Sequence, residues 1–180
     1  MGSANSKAVR ERIRSVNSTM HITRAMQLVA SSKIKRAQAA LSEGRVYCDT
    51  LTETFRMLAT GGADSPFLHE NPEGRPLCIL IAGDRGLAGG YNNNIFKAAA
   101  ALAAEAPEIL FLPVGRRAAE HCRSRGYETL ALAFPTVEHT TPDDCEAAAR
   151  RAIELFSRGE CGCVMVLYTR YRNLLSQEVT

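Results

Sequence analysis

The chain lacks tryptophan altogether, has only 6% aromatic residues, and places no proline before Pro66. Few aromatics suit a helix-rich chain, and the missing prolines leave the first third free of helix breakers. Long apolar runs are also absent. The runs Leu77 to Ala82 and Ala98 to Ala104 are far too short to span a bilayer. The N-terminus is polar and then basic, without the apolar stretch of a secretory signal. In a protein read as unexported, the six cysteines (Cys48, Cys78, Cys122, Cys145, Cys161 and Cys163) are expected as buried thiols rather than disulfides. No Gly-Lys-Ser/Thr occurs, which excludes a P-loop. Acidic residues are scarce in one stretch: between Lys7 and Arg45 nine cations face only Glu11 and Glu43, a local charge of +7. The remainder is acidic overall, since the net charge of the whole sequence is only +3.

What is present is a seam. Val9, Ile13, Val16, Met20, Thr23, Gln27, Ala30, Ile34, Ala37, Leu41, Gly44, Cys48, Leu51, Phe55 and Leu58 follow one another at steps of four and three. That is the heptad spacing of a coiled coil. It predicts a helix over residues 6–60, roughly 80 Å long at 1.5 Å per residue and longer than a domain of this size is wide. Asn5 or Ser6 is placed to cap it, and Gly61-Gly62 to stop it. No second long helix follows to cover the seam, so the partner helix is expected from elsewhere. Four large seam residues left in water would forfeit roughly 6–12 kcal/mol. Ile22, Met26 and Val29 add a second apolar stripe beside the weak seam positions Thr23 and Gln27. It reads either as a shifted seam or as a face enclosed by further protein. The basic stretch is either a solvated face or a surface for an acidic partner, nucleic acid or an anionic membrane.

Residues 61–76, with Pro66, Pro72 and Pro76, read as a linker, and residues 77–180 as an α/β domain. Strands are expected at 77–82, 109–114, 127–134 and 163–168, with another beginning in 174–180. Helices are expected at 92–106, 115–125 (closed by Gly126) and from Thr141 to Gly159. Thr141-Pro142-Asp143-Asp144 supplies a cap, a proline at the first helical position, and carboxylates against the positive helix end. Strands alternating with helices predict a mostly parallel sheet.

Two motifs have residue types that could carry chemistry. Gly83-Asp84-Arg85-Gly86-Leu87-Ala88-Gly89-Gly90 stands where α/β domains hold phosphates, but its glycines do not follow G-x-G-x-x-G. A structural turn is the favoured reading, with a nucleotide or sugar-phosphate site between Gly83 and Asn92 as the alternative. Cys161-Gly162-Cys163, with His121-Cys122 and Cys145, lacks the ligand spacing of a zinc site. His21, His69 and His139 sit apart from any nucleophile. No catalytic residue, cofactor or metal ligand is assigned.

The run from Ile22 to Gln38 (ITRAMQLVASSKIKRAQ) resembles the N-terminal helix of the gamma subunit of F-type ATP synthases. Gly83 to Asn92 (GDRGLAGGYN) resembles that family's loop after the first strand. The resemblance extends from Lys7 onward. It implies a long coiled-coil helix followed by a Rossmann-like, mostly parallel sheet domain, incomplete here because the sequence stops before the second half of the foot. It also implies a rotor without an active site of its own, turned by proton flow inside a ring of alpha and beta subunits. The implied partners are those subunits, the epsilon subunit, the ring of c subunits and the C-terminal helix of the same subunit. Nucleic acid is not among them, and the membrane is reached only through the complex, on the cytoplasmic side of a bacterial membrane. By position, Arg24, Met26, Lys33, Lys35 and Arg36 are the implied shaft contacts. Two other readings of the residues remain: a self-associating coiled-coil scaffold, and a nucleotide-binding enzyme.

Overall fold

A computed structural model describes residues 2–69, 71–130, 136–173 and 175–180, with side chains from residue 6 onward. The protein divides into two compact units, Met1–Ser65 and Pro66–Thr180. The first is dominated by α1, Gly2–Thr60. It begins ahead of Asn5 and Ser6, which are therefore interior positions rather than caps. Polar residues inside a helix cost only some tenths of a kcal/mol each relative to alanine, and no proline stands there to stop it. The stop signal acts as expected: the Gly61 amide closes on the Met57 carbonyl, and Gly62 takes a positive φ of 76°.

The second unit is built on a three-stranded parallel sheet in the order β2-β1-β3. Its strands are β1 (Arg75–Ile81), β2 (Leu110–Val114) and β3 (Cys161–Leu167). β1 is central, with Leu77 opposite both Leu110 and Val164. Successive side chains point to opposite faces of a strand, and two cores follow from that alternation. Cys78, Leu80 and Ala82 join Phe111 beneath α2 (Tyr91–Glu105) and α3 (Arg116–Arg125), which contribute Ile95, Ala99, Ala118 and Cys122. Leu77 and Leu112 form the other core with Ala148, Ala152 and Leu155 of α4 (Pro142–Ser157). Both faces are covered, which explains why β1 reads as a continuous apolar run.

α4 starts as its sequence predicts, and the cap is reciprocal. The Asp144 amide donates to Thr141 Oγ at 3.3 Å, and the Thr141 amide to the Asp144 carboxylate at 2.8 Å. Three differences from the sequence reading are local. β3 begins at Cys161 rather than Cys163, because Cys161 pairs with Arg75 and the ladder continues past a one-residue bulge at Gly162, whose carbonyl accepts from the Asn71 amide. The run 127–134 yields, as far as Leu130, a single parallel bridge between Thr129 and Phe111; its remaining residues lie outside those described. The terminal run forms a short β5 (Gln177–Val179) that pairs antiparallel with β4 (Thr169–Tyr171). The Asn173 turn between them reverses direction within a few residues, too few for a parallel crossover.

Candidate functional site

Two surfaces carry what the sequence singled out. The first is α1, where every described residue from Ser6 to Thr60 is exposed. Val9, Ile13, Val16, Met20, Ile34, Leu41, Leu51, Phe55 and Leu58 all lie open, from 40% exposed at Ile34 to 60% at Val16. Helical periodicity arranges the five implied shaft contacts around them. Ile22, Met26, Val29, Lys33 and Arg36 repeat the seam's spacing one residue before it. Arg24, Leu28, Ser31, Lys35 and Gln38 repeat it one residue after. The five residues thus do not form one patch: Met26, Lys33 and Arg36 flank the seam on one side, Arg24 and Lys35 on the other. Leu28, 71% exposed, shares the second flank; it lies off the seam's own spacing, which is why sequence reasoning missed it. Ion pairs on the helix include Arg45 with Asp49 and Arg56 with Glu53, toward its C-terminal end. Many threonines bond back to the carbonyl four residues earlier, as Thr50 does to Val46 and Thr54 to Thr50. Their hydroxyls are thereby satisfied within the helix.

The second surface is the loop from Gly83 to Gly90. Its conformation is held by its own side chains. Asn92, at the start of α2, accepts from the Gly83 amide at 2.9 Å and donates to the Arg85 carbonyl at 3.2 Å. Asp84 Oδ1 accepts from the amides of Arg116 (3.0 Å) and Val137 (3.1 Å), and Oδ2 from Glu138 (3.3 Å). One carboxylate therefore caps α3 and the 3-10 turn Val137–His139 together. Gly115, the residue before α3, cannot do so: it has no side chain. Nor can it gain one, since its φ is +97° and a Cβ would lie 2.2 Å from the Ala82 carbonyl oxygen. Partial burial pushes the Asp84 carboxyl up, but the three backbone donors outweigh it and leave the group below the ordinary carboxylate value. Arg85 reaches outward, 3.8 Å from Glu138. Leu87 stands at the tip, 99% exposed and at a φ of 59°.

This geometry bears on the phosphate reading. The N-terminus of α3 already holds a carboxylate, so a phosphate approaching that helix would meet like charge, whereas α2, the helix the loop leads into, starts at Gly90 without a side-chain cap. Asp84 and Asn92 are the residues whose roles sequence reasoning missed. Their signal was present, since Asp and Asn are cap formers and flank a strand end and a helix start.

The cysteines do not converge. Cys78 and Cys122 lie in the core under α2 and α3, where burial pushes their thiols up to about 12 and about 11. Cys161 is buried and its Sγ donates to the Cys163 carbonyl, while Cys145 is exposed. Among the described residues, no three His, Cys, Asp or Glu side chains are grouped to hold a metal ion. Nor is any described helix long and apolar enough to cross a membrane.

Comparison with known proteins places this arrangement. The ATP synthase family model matches residues 5–180. A relative named ATP synthase gamma chain, from Solibacter usitatus, is 34% identical over 180 residues, spanning 96% of this protein and 63% of the relative. A gamma chain from Ruminococcus albus is 36% identical over 184 residues, with 97% and 63% spanned. The sequence thus extends over a little under two thirds of the length of these relatives. Among solved structures, the central stalk and c-ring of the Tetrahymena thermophila mitochondrial ATP synthase contains a chain of the same fold. The TM-score is 0.60 at 22% identity, over 88% of this protein and 70% of that one. A long helix with a bare heptad seam, followed by a parallel α/β unit and matched across nearly its whole length, belongs to the ATP synthase family represented by those gamma chains.

Proposed function

We propose that this protein is part of the central rotor of an F-type ATP synthase, with α1 as half of the shaft and the α/β unit as its foot. The observation that carries the reading is the open seam from Val9 to Leu58, flanked on both sides by cations. A second helix laid antiparallel along the seam, the C-terminal helix of the same subunit, would bury it. Met26, Lys33 and Arg36 on one flank and Arg24 and Lys35 on the other would then face the surrounding ring of alpha and beta subunits. The foot would meet the epsilon subunit and the ring of c subunits, peripheral to the cytoplasmic side of a bacterial membrane. Rotation of the foot would pass along the shaft to beta subunits that carry the nucleotide chemistry. The subunit itself would be non-catalytic, in keeping with a loop after β1 whose Gly83 amide and Asp84 carboxylate are both engaged within the fold.

Co-expression of the gene's product with its neighbouring alpha and beta subunits tests this. The product should co-purify with ATPase activity, and charge reversal at Lys33, Lys35 and Arg36 together should release it at lower salt than the parent. An alpha–beta complex that purifies without it would refute the proposal. The open seam also favours one other reading, a scaffold that pairs with its own copies, which a competing helix would leave intact.

A further inference from the structure

His121 occupies a position that the rotor reading does not use. Its ring lies flat against Phe96 of α2, centroids 4.1 Å apart and planes 2° apart, and meets the edge of Tyr127 at 6.0 Å. Tyr127 in turn stacks on Phe111 of β2 at 5.0 Å. Four rings therefore run from α2 across α3 to a core residue with no exposure. The histidine is the titratable member that joins the two helices, and its Nε2 is buried with no hydrogen-bond partner among the described residues.

We infer that His121 is an acid-sensitive latch between α2 and α3, closed while its imidazole is neutral and released when Nε2 takes up a proton. A neutral ring loses little by leaving one nitrogen unpaired in an apolar contact. A protonated ring must bury an N–H donor and a charge for which the contact supplies no acceptor. The Phe96 face attracts a cation and offsets part of that cost, but it accepts no proper hydrogen bond from a ring lying parallel to it. The charged groups on the packed elements are Lys97 and Glu105 on α2, and Arg116, Arg117, Glu120, Arg123 and Arg125 on α3; Tyr127 is the titratable neighbour across the turn. Of these, Arg125, one helical turn onward, is the one whose charge acts on the ring, and it repels an imidazolium. Glu120 pairs with Arg117 instead. Burial first, and Arg125 second, hold the imidazole below its ordinary value. The latch is therefore closed at neutral pH, and its contribution is lost as pH falls from the unfolded value of about 6.5 toward the folded one.

Proton NMR of the histidine C2–H resonances across pH 4.5–8, with amide hydrogen exchange at matched pH, tests this on the whole protein. The His121 resonance, assigned by its absence in His121→Phe, should titrate below the ordinary imidazole value. Opening of α2 and α3 should rise by up to about tenfold per pH unit below 6.5, the response to one proton taken up on opening. That rise should be missing in His121→Phe, which keeps the stack without the titration. Arg125→Gln, which leaves the stack untouched, should move the His121 titration upward. A His121 titration at or above 6.5, an acid response of the same size in His121→Phe, or an unmoved titration in Arg125→Gln would each overturn the latch.

Discussion

Replacing Asp84 with alanine removes a single carboxylate that caps two helical ends at once. The Arg116 amide at the head of α3 and the Val137 and Glu138 amides of the 3-10 turn would lose their acceptor together. A lost N-cap costs about 1 kcal/mol, so two ends amount to about 2 kcal/mol. The negative charge against the dipole of α3 adds a few tenths, kept small because Asp84 is partly open to solvent. Asp84→Asn should cost about half as much, since one oxygen can still serve Arg116 and Val137 while the Glu138 amide loses its acceptor. Urea unfolding followed by tyrosine fluorescence reads the loss in a protein without tryptophan. Amide exchange at residues 116, 137 and 138 reads its location. The pH dependence has a defined sign. The folded carboxyl lies below its unfolded value near 3.9, so the stabilisation is complete above that pH and fades as pH falls through the folded value. An Asp84→Ala variant within about 0.5 kcal/mol of the parent, with unchanged exchange at those three amides, would refute the clip.

Other substitutions probe neighbouring features. Gly115→Ala places a Cβ 2.2 Å from a backbone oxygen at a positive φ, and should cost on the order of 3 kcal/mol or prevent folding of the α/β unit, checked by thermal unfolding. Thr141→Ala opens the capping box of α4 and should cost about 1 kcal/mol by urea titration. The Asp144 carboxyl, held below its ordinary value by the Thr141 amide and hydroxyl, should titrate closer to an unperturbed aspartate in that variant by carbon NMR. Leu41→Asp puts a charge in the seam and should abolish binding of a partner helix while leaving the α/β unit's unfolding midpoint unchanged.

Legibility in the sequence followed the range of the forces involved. The long helix, the alternation of strands and helices, and the Thr141 cap depend on periods and neighbours within four residues, and all are present in the structure. β1 was readable because both its faces are covered, which makes every position apolar from Leu77 on. Asp84 was not readable as a cap, because its recipients lie 32 to 54 residues away and only the fold brings them together. The first two residues of β3 are not legible in the sequence, because Cys161 joins the sheet by pairing with Arg75 across a bulge at Gly162, which packs against residues 71–74. The helix start is not legible, because Asn5 and Ser6 have the chemistry of caps yet stand inside α1. The five shaft residues were chosen by resemblance, and helical geometry divides them between two flanks of the seam.

On the proposed reading, the open seam of α1 is half of a shaft whose other half is the C-terminal helix of a gamma subunit. Analytical ultracentrifugation of the protein, alone and with excess peptides corresponding to the C-terminal helices of the Solibacter usitatus and Ruminococcus albus relatives, tests it most directly. Any self-associated species should be replaced by a one-to-one complex, and Leu41→Asp should prevent its formation. Self-association that persists unchanged in the presence of both peptides, or a monomer that binds neither, would contradict the claim.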